Sequence, residues 1–184
     1  MQKRPSRSTR DDWLDLGFDI LAGDGEQSLT IETLCTRMGR TKGSFYHHFR
    51  GRQAYVDALM AHWERRDTQR VIDEMAPYDD PREKLVRLGE LTSRDVDLRL
   101  ERRFRVWAER EPAVRAAVER VDQARERYLH EQFTAALGDE RRGRLAARCH
   151  MALLVGTQML YQDLSRDELK ELNDFADRLG FEDL

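Results

Sequence analysis

The chain has 184 residues, 36% charged and 40% hydrophobic, with four prolines and a formal net charge of −3. Its length fits one or two domains, its composition suits a soluble, helix-rich protein, and its acidic balance excludes a uniformly basic nucleic-acid coat. The longest nearly uncharged run, residues 151–162, is too short to span a bilayer, and the opening MQKRPSRSTR lacks the apolar core of a secretory signal, so a cytoplasmic protein without a membrane partner is expected.

The charge is unevenly spread. Residues 1–52 hold nine Lys and Arg against seven Asp and Glu, a surplus of two that leaves −5 for the remainder. That asymmetry allows a localised DNA-facing surface. Residues 1–10 carry four positive charges and no apolar pattern, which predicts a flexible arm: either a loose terminus or a strand of cations that touches phosphate or a minor groove. From about Thr9, the residues Trp13, Leu14, Gly17, Phe18, Ile20 and Leu21 recur at helical spacing, with Asp11 and Asp12 suited to the N-terminal dipole, and Gly23 and Gly25 end the pattern.

Residues 30–49 read TIETLCTRMGRTKGSFYHHF. Thr30 is placed to cap a short helix whose stripe is Ile31, Leu34 and Cys35, and Gly39 supplies a residue free to adopt positive φ and turn the chain. Thr41 is placed to cap a second helix with a polar, small or basic face of Lys42, Gly43, Ser44, Tyr46 and His47, anchored inward by Phe45 and Phe49. Helix, glycine turn and polar helix predict a helix-turn-helix whose second helix enters a DNA major groove.

This run, and T-K-G-S-F-Y-H-H-F most of all, resembles the DNA-binding region of the TetR (tetracycline-repressor-like) family of transcriptional regulators, over about the first quarter to third of the chain. Two positions depart from the family pattern. Arg40 stands where a small apolar residue is common, leaving it to reach solvent or DNA, and Gly51-Arg52-Gln53-Ala54-Tyr55 replaces the usual S-K-E-x-L. The resemblance implies an all-α fold of about nine helices. A DNA-binding domain over residues 1–52 would be followed by a ligand-binding and dimerisation domain over residues 53–184. It also implies a repressor that binds a palindromic operator as a homodimer and is released by a small apolar or aromatic molecule. Thr30, Arg40, Thr41, Lys42, Gly43, Ser44, Tyr46, His47 and Arg52 would then touch DNA, with His48 either an outward contact or a packed ring.

Beyond Gly51 a long helical pattern runs to about Met75, the position of the family's connecting helix, with Tyr55, Val56, Leu59, Met60, Trp63, Val71, Ile72 and Met75 on its faces. Pro77 and Pro81 flank a loop. A fifth helix from Pro81 carries Leu85, Leu88 and Leu91, and a sixth, over about Leu98 to Arg110, carries Leu100, Phe104 and Trp107. Glu111-Pro112 breaks the chain, since the residue before proline disfavours helical geometry. A seventh helix runs from Pro112 to Leu137 and stops at Gly138. The eighth, about Glu140 to Leu164, is apolar nearly all round between Met151 and Leu160, which predicts burial on more than one side. The last, about Arg166 to Leu179, carries Leu169, Leu172, Phe175 and Leu179. The Glu- and Arg-rich stretches 99–110 and 119–127 read as solvated helical faces.

Trp63, Leu88, Phe104, Trp107, Tyr128, Met151 and Gln158 are candidates to line a ligand cavity in the second domain; the same residues would serve equally as filled core. Cys149, Ala152, Leu153, Gly156 and Leu160 form a strip at i, i+3, i+4, i+7 and i+11, and with Leu169, Leu172 and Phe175 they predict a two-fold, four-helix dimer contact. Cys35 and Cys149 are expected as buried, reduced thiols. No G-x-S-x-G, no phosphate-cradling glycine loop and no His or Cys pair at ligand spacing occurs, so neither an enzyme nor a metal or cofactor is expected. From another class, a helical protein-interaction module without an inducer fits the same pattern.

Overall fold

The computed structural model describes residues 8–161 and 163–182, and among them all regular structure is helical. Of the expected N-terminal arm, residues 1–7 lie outside the described residues. Residues 8–10 are ordered: Ser8 is buried, and Thr9 and Asp12 form a reciprocal capping box (Thr9 N to Asp12 Oδ2 2.7 Å, Asp12 N to Thr9 Oγ1 3.1 Å) that starts helix α1 at Arg10. Helix α1 (Arg10–Asp24) runs through Gly23 and stops at Gly25, whose φ is +81°. Helices α2 (Ile31–Met38) and α3 (Lys42–His48) follow, joined through Gly39 in the left-handed region at φ +63°.

Helix α4 is one rod in three sections: Arg52–Glu64 is α-helical, Arg65–Gln69 forms a π-helical turn, and Arg70–Glu74 is α-helical again. A π-turn inserts an extra residue into the ladder and re-aims the side chains around it. Here Thr68 is buried within the turn. Next come α5 (Pro81–Asp95), capped by Asp80, α6 (Leu98–Ala108), capped by Asp97, and α7 (Pro112–Leu137), which ends on Gly138 at φ +66°. Helix α8 (Glu140–Leu160) stops four residues short of the expected Leu164. The reason is a second capping box, in which Ser165 N donates to Glu168 Oε2 (2.8 Å) and Glu168 N to Ser165 Oγ (3.2 Å), starting α9 (Arg166–Glu182).

One apolar core runs without interruption from Trp13, Phe45 and Tyr55 in the first four helices, through Trp63, to Phe104, Trp107 and Val121 in α6 and α7. Gly17 sets the α1–α4 distance: a Cβ there would lie 2.1 Å from Tyr55 Oη, which donates to the Trp13 carbonyl at 2.8 Å. Gly143 does the same for α7 and α8, since its Cβ would meet Thr134 N at 2.6 Å. Helices α7 and α8 pack along each other more extensively than any other pair. Smaller clusters form around Phe133, Ala146 and Leu85, and around Val71, Met75 and Leu91. No helix among the described residues is long and apolar enough to cross a membrane.

Candidate nucleic-acid interface and regulatory cavity

Helix α3 is held from behind by aromatic packing. Phe45 is fully buried, edge-on to Trp13 (5.6 Å between centroids) and against Phe49 and Tyr55. With that face fixed, Thr41, Lys42, Gly43, Tyr46 and His47 are exposed, Tyr46 by 54%, while Ser44, His48 and Arg40 are half-buried. Both helix starts are capped by threonine: Thr30 Oγ1 accepts from Thr33 N (3.1 Å), and Thr41 Oγ1 from Ser44 N (3.3 Å). Among the described residues, a Cβ on Gly43 would meet only Thr41 Oγ1, at 3.6 Å, so their packing does not demand glycine there. What the bare backbone provides is a flank on which another molecule can approach closely. No carboxylate lies on α3, so nothing on that helix repels a phosphate backbone.

Arg52 is exposed at the start of α4, 3.9 Å from the Glu111 carboxylate, so a phosphate would have to share it with that partner. Arg10 is the residue that sequence reasoning placed in a loose arm. It is the first residue of α1, with its guanidinium 5.3 Å over the Phe49 ring beside this face. The capping pair Thr9 and Asp12 was the available signal for it.

At the other end of α4 a cavity of about 100 Å³ lies between α4, α5, α7, α8 and α9. Its walls are mainly aliphatic, including Val71, Ile72, Leu85, Leu88, Leu129 and Leu154, with Thr68 and Asp67 of the π-turn on one side. Of the seven residues expected around a ligand, Leu88 and Tyr128 line it. The other five do not. Trp63 and Phe104 pack on each other (4.5 Å between centroids), Trp107 and Met151 are buried elsewhere, and Gln158 is fixed by two hydrogen bonds. Aromatic rings on an inward face found one another and filled the core, and the space opened beside shorter aliphatic side chains.

Between cavity and core lies a buried ionic network in the stretches that read as solvated faces. Glu101 is 2% exposed and accepts four hydrogen bonds: from Arg125 Nη1 and Nη2 (both 2.9 Å), Trp63 Nε1 (3.0 Å) and Gln158 Nε2 (3.1 Å). Burial alone would push the Glu101 carboxyl up; Arg125 and the other donors outweigh it and hold it below the ordinary glutamate value. Arg125 also donates Nε to Thr68 Oγ1 (3.2 Å) and Nη2 to the Asp67 carbonyl (3.4 Å), tying α7 to the π-turn. A second pair, Arg105 with Asp122, closes bidentately at 2.8 Å, and Arg105 Nε donates to Gln158 Oε1 at 2.6 Å. Arg66, paired with Asp67, lies 4.2 Å over the Phe18 ring of α1. The network thus runs from the cavity wall to the helix behind the helix-turn-helix.

The strip on α8 is left uncovered by its own chain. Leu160 is 71% exposed, Ala152 and Cys149 are exposed, and Leu153 and Gly156 are half-buried. Among the described residues, a Cβ on Gly156 would meet nothing within 4 Å. The expectation of two buried thiols holds for Cys35, whose thiol burial pushes up, and is corrected for Cys149. On α9, Phe175 is 54% exposed and Leu172 half-buried, whereas Leu169 turns inward and is buried within the chain. The Leu179 side chain lies outside the described residues. Among those residues, no three His, Cys, Asp or Glu side chains gather as a metal ion would require.

No protein-family model matches the sequence, and no curated protein matches it. Solved structures do. A transcriptional regulator from Saccharomonospora viridis, in complex with choline, superposes with a TM-score of 0.72 at 16% identity, over 90% of this chain and 94% of that one. The regulator FadR from Bacillus subtilis, in complex with stearoyl-CoA, gives 0.74 at 14% identity, over 96% and 100%. A TetR-family regulator from Rhodococcus gives 0.67 at 17%, over 92% and 97%. At such identities the likeness is one of fold, and the chain has the all-α fold of TetR-like transcriptional regulators.

Proposed function

We propose, on the premise of that shared fold, that the chain is a TetR-like transcriptional repressor. It binds a palindromic operator as a homodimer and leaves it when a small molecule enters the cavity. It is no enzyme, and it acts in the cytoplasm. Residues 1–52 read DNA and residues 53–184 sense the ligand and dimerise. One observation carries the reading: α4 begins beside the exposed polar face of α3 and, 13 residues on, enters the π-turn that walls the cavity. An occupant that displaces the wall displaces the rod on which the reading head sits. The dimer is supported by the uncovered α8 and α9 strip, because contiguous apolar patches of several hundred Å² are uncommon on monomers. It is supported also by information content, since one seven-residue α3 reads few base pairs and two in register read a palindrome.

Gel-shift titration across a salt series tests the reading. A DNA-binding protein shows log affinity falling linearly with log salt, with a slope set by the phosphates it neutralises. Binding that is absent, or indifferent to salt, would leave the fold without this function.

A further inference from the structure

The cavity's chemistry narrows what it holds. Its charged wall residues are already committed. Arg125 spends its guanidinium on Glu101, Thr68 and the Asp67 carbonyl, and the Asp67 carboxylate is closed by Arg66 at 2.5 and 2.8 Å. An anion or cation entering would be desolvated without a counter-charge, which disfavours its binding. The Thr92 hydroxyl donates to the Leu88 carbonyl at 2.8 Å, Asn173 Nδ2 to Ser93 Oγ at 2.9 Å, and His150, also on the wall, donates Nδ1 to the Ala146 carbonyl at 3.0 Å. One polar group stands apart. The Tyr128 hydroxyl is buried and has no hydrogen-bond partner among the described residues, although Tyr128 lines the cavity. A buried, unmatched donor is unfavourable, and an acceptor in the cavity that the hydroxyl turns to meet removes that cost. Burial, with Glu131 nearby, pushes this phenol above its ordinary value, so it stays protonated and able to donate. The cavity's 100 Å³ is of the same order as the ~150 Å³ apolar cavity that holds a benzene ring, so an occupant much larger than one small ring does not fit.

We propose that the cavity selects a compact, neutral, largely apolar molecule bearing one hydrogen-bond acceptor, such as a carbonyl oxygen, which the Tyr128 hydroxyl receives. The inference rests on the cavity being the regulatory site and adds the class of its ligand. It excludes carboxylates, amines and long acyl chains from that site.

Three probes of similar size separate the classes: cyclohexanone, cyclohexylamine and cyclopentanecarboxylate, each titrated by NMR into the full chain and into Tyr128→Phe. Cyclohexanone should bind at least tenfold more tightly than either charged probe. Tyr128→Phe should weaken cyclohexanone by about two- to tenfold, the worth of one net hydrogen bond. It should leave the melting temperature of the unliganded protein unchanged or raised, because it deletes an unmatched donor. A charged probe that binds best, cyclohexanone affinity unaltered by Tyr128→Phe, or no binding of any probe would overturn the proposal. DNA binding is scored separately by gel shift. Cyclohexanone binding through Tyr128 without any DNA binding would uphold the ligand class and remove the repressor reading; DNA binding with a preference for a charged probe would overturn the ligand class alone.

Discussion

Arg125→Met removes the cation that makes burial of Glu101 tolerable. The variant loses two hydrogen bonds to the Glu101 carboxylate and the tie to Thr68 and Asp67, and it leaves a carboxylate 2% exposed with only Trp63 and Gln158 as donors. Breaking a buried pair by deleting one partner costs about 3–5 kcal/mol. For a chain of this size, each kcal/mol shifts Tm by about 2–4 °C, so the variant should melt about 6–20 °C lower at pH 7.5. The pH dependence carries the signature. In the native protein the Glu101 carboxyl is held below its unfolded value, so its contribution is present above the unfolded value and is lost as pH falls through the folded one. In the variant, burial without Arg125 raises the folded value above the unfolded one. The deficit is then full at high pH and shrinks as pH falls through that raised value and Glu101 takes up a proton. Circular-dichroism melts at pH 7.5 and 5 read both effects. Arg125→Met/Glu101→Gln should recover part of the loss. A drop below about 1 kcal/mol, or a double variant less stable than the single one, would refute the claim that this pair is a buried, mutually dependent unit.

Lys42→Ala and Tyr46→Ala should weaken DNA binding with unchanged melts, and Lys42→Ala should shallow the salt slope by about one unit; gel shifts with both variants unaffected would remove this face from the DNA. Gly17→Ala should destabilise by about 1–3 kcal/mol, because its Cβ would lie 2.1 Å from Tyr55 Oη and force Tyr55 off the Trp13 carbonyl; an unchanged denaturation midpoint would contradict that packing. Gly156→Arg should split the dimer in sedimentation while keeping helix content, since none of the chain's described residues lies within 4 Å of the new Cβ; a wild-type chain that sediments as a monomer at micromolar concentration would contradict the dimer itself.

The helix-turn-helix was legible because each of its decisions is local. Threonine caps at 30 and 41, a positive-φ glycine at 39 and an i, i+4 aromatic pair at 45 and 49 stand in the sequence, and each sits so in the structure. The ends of α7 were legible for the same reason, through Pro112 and Gly138. The buried network was not, because Glu101 and Arg125 lie in strings of charge. Periodicity held the missing signal. Glu101 lies three residues before Phe104, and Arg125 falls between Val121 and Tyr128, so both occupy inward registers of otherwise solvated helices. The cavity was the least legible part. Hydrophobic spacing says which side chains point inward but not which will meet, and the rings of Trp63 and Phe104 met. The capping box at Ser165 and Glu168 was readable from its S-x-x-E spacing and would have placed the end of α8 correctly.

Selection of bound DNA from a random-sequence pool, using the full chain at moderate salt, asks whether two copies of α3 read one operator. A homodimer that reads DNA through two copies of α3 should enrich an inverted repeat whose half-sites lie about one helical turn or slightly more apart, with the enrichment lost in Lys42→Ala/Tyr46→Ala. A pool that stays random after repeated rounds, or that yields a motif without two-fold symmetry, would contradict it.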